Sequence, residues 1–157
     1  MGRLARLVKS HLSRQLPTAA ESGAADVEGV LAEISRRRNR IEDALRDLLR
    51  DGLRFSEGSK AMNVALSCLP EDRRAVLAQY GYNDFWVELY FNELLSILHK
   101  NFGAFQKRME RGKDDVMKWM DQVNRCRADA HARARGEENL AFLRVCFGRL
   151  EVLLDLH

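Results

Sequence analysis

Apolar residues recur at intervals of three and four through most of this chain, and only two prolines, Pro17 and Pro70, break the pattern. That spacing is helical, since a helix returns to one face about every 3.6 residues while a strand alternates by two. Val27, Val30, Leu31, Ile34, Ile41, Leu45 and Leu48 follow it, and Arg38 interrupts the stripe once. Phe91, Leu94, Leu95, Leu98, Phe102, Phe105 and Met109 follow it again. No strand-like alternation of any length is present, nor any repeat or low-complexity tract. An all-α chain folded as a compact antiparallel helical bundle is therefore expected.

The breaks divide the chain further. Pro17 to Gly23 (PTAAESG) reads as a linker, separating a basic segment over 1–22 from a bundle over 23–157. A long helix runs from Asp26 to near Gly52, and a shorter one from Ser59 to Leu69. Pro70-Glu71-Asp72 opens another, because proline and acids suit a first turn. Tyr80 to Asp84 is the next break. A continuous helix is expected from Phe85 to about Met109, another from Asp114 to about Arg135, and a last one from Glu137 to Leu156.

With 157 residues, 46% hydrophobic and 31% charged, the chain fits one domain with a real core and is too apolar for disorder. No apolar run approaches the roughly 20 residues that span a bilayer, so no membrane partner is expected. Cys68, Cys126 and Cys146 are odd in number and widely spaced, which argues against a disulfide framework and for a reducing cytoplasm. The first 20 residues carry Arg3, Arg6, Lys9 and Arg14 with Leu4, Leu7, Val8, Leu12 and Leu16 at helical spacing. A docked helix, a mitochondrial presequence and an RNA- or membrane-contacting arm all look like this.

Chemistry concentrates over residues 119–135, WMDQVNRCRADAHARAR. On a helix, Val116, Trp119, Met120, Val123, Cys126 and Ala130 share the core side. Asn124, Arg127 and His131 stack on the flank beside it, and Arg125 with Asp129 falls on the far side, one turn apart. His131 can move a proton near neutral pH, Arg127 can hold a phosphate and Asn124 can orient either. Lys100, Lys107, Arg108, Arg111 and Lys113, with Arg133 and Arg135, make a basic surface able to track phosphates. Tyr82, Trp86 and Tyr90 can stack bases or fill the core. No zinc, phosphate-loop or nucleophile-elbow motif is present, and no cofactor or metal is expected.

The run Asn124-Arg125-Cys126-Arg127-Ala128-Asp129-Ala130-His131-Ala132, preceded by the apolar run Glu93 to Phe102, resembles the HEPN superfamily (higher eukaryote and prokaryote nucleotide-binding domains). The likeness covers roughly Phe85 to Leu156. It is closest to the type found with the PIN nuclease of yeast RNA quality control and in bacterial defence proteins. That family carries an arginine, four to six residues, then a histidine on its penultimate long helix. His131 matches the histidine. Arg125 has the right spacing, whereas Arg127 shares the helical row of His131. Cys126 and Ala128 stand where the family has a small polar residue after the arginine.

The resemblance implies a four-helix core with extra N-terminal helices and metal-independent cleavage of RNA by its own 2′-hydroxyl. Two subunits would bring their Arg/His sets to one cleft. A homodimer, an RNA substrate and a toxin or phage-defence role with an antitoxin or defence partner follow from it. The alternatives are a catalytically degenerate bundle for dimerisation or partner binding, and an unrelated helical adaptor using its long charged helix.

Overall fold

The computed structural model describes residues 19–126 and 137–156, and among them every element is helical. Helix α1 spans Ala19–Glu57, a 3-10 turn spans Gly58–Lys60, and α2 (Ala61–Ser67), α3 (Glu71–Leu77) and α4 (Tyr82–Val87) are short. The long helices α5 (Phe91–Met109), α6 (Lys113–Asn124) and α7 (Glu137–Leu153) follow. The expected all-α bundle is present.

Four helices form the bundle's wall: α1 packs on α5 and α7, and α6 packs on α5 and α7. Helices α5, α6 and α7 alternate in direction, as the stacking of Arg149 on Trp119 shows for α6 and α7. Arg38 lies over the ring of Phe91 and Gly52 lies against Phe105, so α1 and α5 run in the same sense. The ion pairs Arg144–Glu33 and Arg37–Glu151 give the same sense for α1 and α7. The short helices α2 to α4 carry the chain back between the parallel α1 and α5. As a result the C-terminal ends of α1, α5 and α7 gather at one end of the bundle, beside the start of α6.

The core follows the apolar stripes. Ile41, Leu45, Leu49 and Leu53 of α1 are buried against Leu94, Ile97 and Leu98 of α5, Val116, Met120 and Val123 of α6, and Leu143, Phe147 and Leu150 of α7. Arg38, the one break in the α1 stripe, lies half-buried, paired to Glu42 and stacked 5.1 Å from the ring of Phe91. The guanidinium thus covers an aromatic face instead of opening the core.

Several boundaries differ from those expected. Helix α1 already includes Ala19 to Gly23 of the expected linker, because alanine and glutamate there are strong helix formers. It also continues past Gly52 to Glu57, since Leu53 is 1% exposed and keeps the stripe going. Gly52 is a packing residue: a Cβ there would overlap the ring of Phe105, itself buried. Gly52→Ala is expected to destabilise by about 1–3 kcal/mol through overpacking. Gly103→Ala on an open face of α5 should stabilise by up to about 1 kcal/mol. Urea midpoints for the two variants moving in the same direction would count against this packing account.

The helix expected from Phe85 to Met109 is two helices, with Glu88 to Tyr90 between them. Arg46 donates from Nε to the carbonyl of Trp86 at 2.9 Å and from Nη2 to that of Leu89 at 3.2 Å. Those carbonyls are thereby satisfied without helical continuation. Glu93, 5% exposed, then accepts the Tyr90 N–H at 2.9 Å and starts α5. Within α5, Asn101 has non-helical φ −112° and ψ 19°, and its Nδ2 donates to the carbonyl of Ile97 at 2.9 Å. A side chain competing for a helical carbonyl four residues back is a recognised cause of bending.

Candidate nucleic-acid interface

Helix α6 ends at Asn124, with Arg125 as its C-cap, so the helix is shorter than the one expected to reach Arg135. The Arg125 N–H closes the last turn on the carbonyl of Asp121 at 3.0 Å, and its side chain is exposed. The flank row joining Asn124 to Arg127 and His131 assumed a helix that α6 does not extend to. Arg127, His131, Arg133 and Arg135 lie outside the described residues. Val116, Met120, Val123 and Cys126 face the core as expected, whereas Trp119 is half-buried at its edge.

The residues that are described fall into two groups at opposite ends of the α5–α6 pair. Asn124 comes beside Lys100 in a groove between α5 and α6, with His99 and Asp121 also lining it. Both Lys100 and His99 are exposed there, but the Lys100 ammonium already donates to the carbonyl of Cys68 at 3.2 Å. His99 is an addition to the expected set. Its position, a turn or so from the α5 residues opposite Asn124, follows from antiparallel packing that a sequence spacing does not carry.

At the other end, where α1, α5 and α7 finish, Arg108 and Arg111 line a cleft of about 410 Å³ with Arg149 of α7. Lys107 is exposed on the same last turn of α5, and Lys113 opens α6. The Arg149 guanidinium sits 5.3 Å from the centroid of the Trp119 ring. Met109, Leu153 and Val152 supply the apolar side, and Glu110, in the left-handed conformation at φ 48°, is its one acid. Sequence reasoning missed Arg149 and Trp119. The signal lay in pairing α6 against an antiparallel α7, which brings residue 119 opposite 149.

Among the described residues, ion pairing commits six other arginines of the surface, while Arg36, Arg54, Arg74 and Arg125 stay outside it, as the arginines of this cleft do. Arg37, Arg38, Arg46, Arg50, Arg73 and Arg144 each pair with a carboxylate within 3.3 Å or less. Among the described residues Arg108, Arg111 and Arg149 form no such pair. The Arg144 hydrogen bond holds the Glu33 carboxyl below its usual range, and the Glu93 contact raises Arg73, so those charges are committed to each other. Three like charges close together repel, and the α5 C-terminus offsets part of this, because Lys107 and Arg108 lie in its last turn, where a cation gains about 0.3–1 kcal/mol.

The aromatics expected to stack bases divide. Trp86 is fully buried, Tyr82 is half-buried with its hydroxyl donated to the carbonyl of Arg50 at 2.6 Å, and burial pushes its phenol up. Tyr90 is 64% exposed, with Arg73 stacked 4.8 Å from its ring. Among the described residues no cluster of His, Cys, Asp and Glu could hold a metal, and no helix is long and apolar enough to cross a membrane. Compared with protein-family models, curated proteins and solved structures, the chain matches none.

Proposed function

We propose that this chain is an RNA-binding protein of HEPN type, acting as a homodimer and cleaving RNA without a metal. The observation that carries the RNA reading is the set of open cations at the α5–α6 corner, where Arg108 and Arg111 share a cleft with Arg149 and Lys107 is exposed on the same turn of α5 as Arg108. Such a surface suits a polyanion, because each neutralised phosphate releases counterions. The cleavage reading rests on the sequence alone, on His131 with Arg127 or Arg125 and Asn124. In it the histidine moves the 2′-hydroxyl or leaving-group proton and the arginine meets charge on the phosphorus centre. A toxin or phage-defence role, in the cytoplasm with an antitoxin or defence partner, belongs to the same resemblance.

The test incubates purified protein with labelled RNA, with and without EDTA, beside His131→Ala, Arg127→Ala and Arg125→Ala. Binding should weaken steeply with salt, and His131→Ala should slow EDTA-resistant cleavage by about 10²–10⁴-fold while leaving binding intact. Whichever arginine variant loses cleavage identifies the partner of His131. Absence of RNA binding at low salt would sink the proposal and leave the second reading, a bundle for self-association or docking. That reading is favoured by the outward face of α7, where Phe142, Val145 and Val152 are 43%, 51% and 76% exposed.

A further inference from the structure

The cleft between the α5–α6 corner and α7 differs from a phosphate-tracking surface in being a pocket closed on one side by apolar groups. At about 410 Å³ it is the size of an ordinary small-ligand site. Arg108 comes from the last turn of α5, Arg111 from the corner and Arg149 from α7, so the guanidinium groups approach from different elements. Val152, 76% exposed beside them, and the half-buried Trp119 offer an apolar wall at the same mouth. A ligand that satisfies both must carry concentrated negative charge and a flat apolar body.

The geometry points to this cleft as the seat of a terminal phosphate of an RNA strand, with the terminal base against Trp119 and Val152. It deepens the RNA-binding reading above, on which it rests for the polymer but not for the pocket. An internal phosphodiester carries one charge, whereas a terminal phosphomonoester carries about 1.5–2 near neutral pH and three strong acceptor oxygens. Guanidinium forks match those oxygens in pairs. Glu110 at the rim repels any anion, and the more highly charged one more, so the preference for a phosphomonoester must come from the three guanidinium groups. Arg149, which lines the cleft, is stacked on the indole and so has less side-chain freedom to lose on binding an anion. The pocket runs from the α5–α6 corner to Trp119 in the middle of α6, which lies about 9 Å along the helix axis from Arg125. A strand anchored here could extend along α6 toward Asn124.

Two readouts test it on the full chain. Trp86 is fully buried and Trp119 half-buried, so acrylamide quenching of tryptophan fluorescence reports mainly Trp119. Adenosine 5′-monophosphate should protect against quenching saturably, adenosine should not, and inorganic phosphate should compete. Short oligoadenylates bearing a 5′-phosphate, a 3′-phosphate or neither are then compared by binding. One phosphorylated form should bind about tenfold more tightly than the unphosphorylated strand, and the better end identifies the polarity. Arg111→Ala, in the corner and outside the core, should abolish that preference, as should Arg149→Ala. Oligonucleotides that bind equally with and without the phosphate overturn the pocket while the RNA reading stands. If no oligonucleotide binds but the monophosphate still protects Trp119, the pocket stands and the RNA reading falls. No protection by the monophosphate or by phosphate overturns the pocket outright.

Discussion

Trp86→Ala is expected to cost about 3–5 kcal/mol, the range for emptying a buried aromatic site. Trp86 is 0% exposed and stands edge-on to Phe85 at 5.2 Å and to Tyr82 at 6.0 Å, in the short helix that seals the bundle behind α1. The loss is a large part of the roughly 5–15 kcal/mol that holds a domain of this size. In urea, with a slope of about 2 kcal/mol per M, the midpoint should fall by about 2 M. Trp86→Phe should cost far less. It retains most of the ring, and Nε1 has no hydrogen-bond partner among the described residues, so deleting it strands nothing. Equal midpoints for the two variants would show that α4 contributes little to the core.

The second large effect is an asymmetry. Arg73 grips Glu93 through Nε at 2.6 Å and Nη2 at 3.0 Å, and also donates to the carbonyl of Glu88 at 3.0 Å. Removing Arg73 leaves the Glu93 carboxylate 5% exposed with only the Tyr90 N–H to meet it. An uncompensated buried charge costs about 3–5 kcal/mol. The Arg73 side chain is 24% exposed, so water relieves part of this and the lower end of the range applies. Glu93→Gln removes the charge but keeps the shape and the carbonyl oxygen, and should cost only about 1–2 kcal/mol. The double variant should be more stable than Arg73→Ala alone. Thermal or urea unfolding of the three checks it, and an Arg73→Ala variant as stable as wild type would show the pair to be solvated.

Helix positions were legible because their cause is periodic. The stripes through Ile41, Leu45 and Leu94, Leu98 are read directly from spacing, and those residues are buried. Boundaries set by tertiary contacts were not legible. Nothing near Trp86 or Leu89 in the sequence announces that Arg46, on another helix, takes their carbonyls. Gly52 looks like a stop until Phe105 is placed against it. The site shows the same division. Lys107, Arg108 and Arg111 stand out as a basic run, whereas Arg149 joins them only through the antiparallel α6–α7 pairing. Asn124 and Arg125 are placed at the end of α6, and their relation to His131 lies beyond the described residues.

The bend at Asn101 makes the far half of α5 a lever. From Asn101 to Met109 is about 12 Å of helix, so a bend of about 20° displaces the tip by about 4 Å. Arg108 rides on that tip, while Arg149 is fixed to α7. The placement of Arg108 relative to Arg149 is thus sensitive to one amide side chain, two turns before Arg108, on the carbonyl of Ile97. A straight α5 would carry Arg108 to a different place, so a polar residue that declines to be helical helps set where one side of the cleft lies.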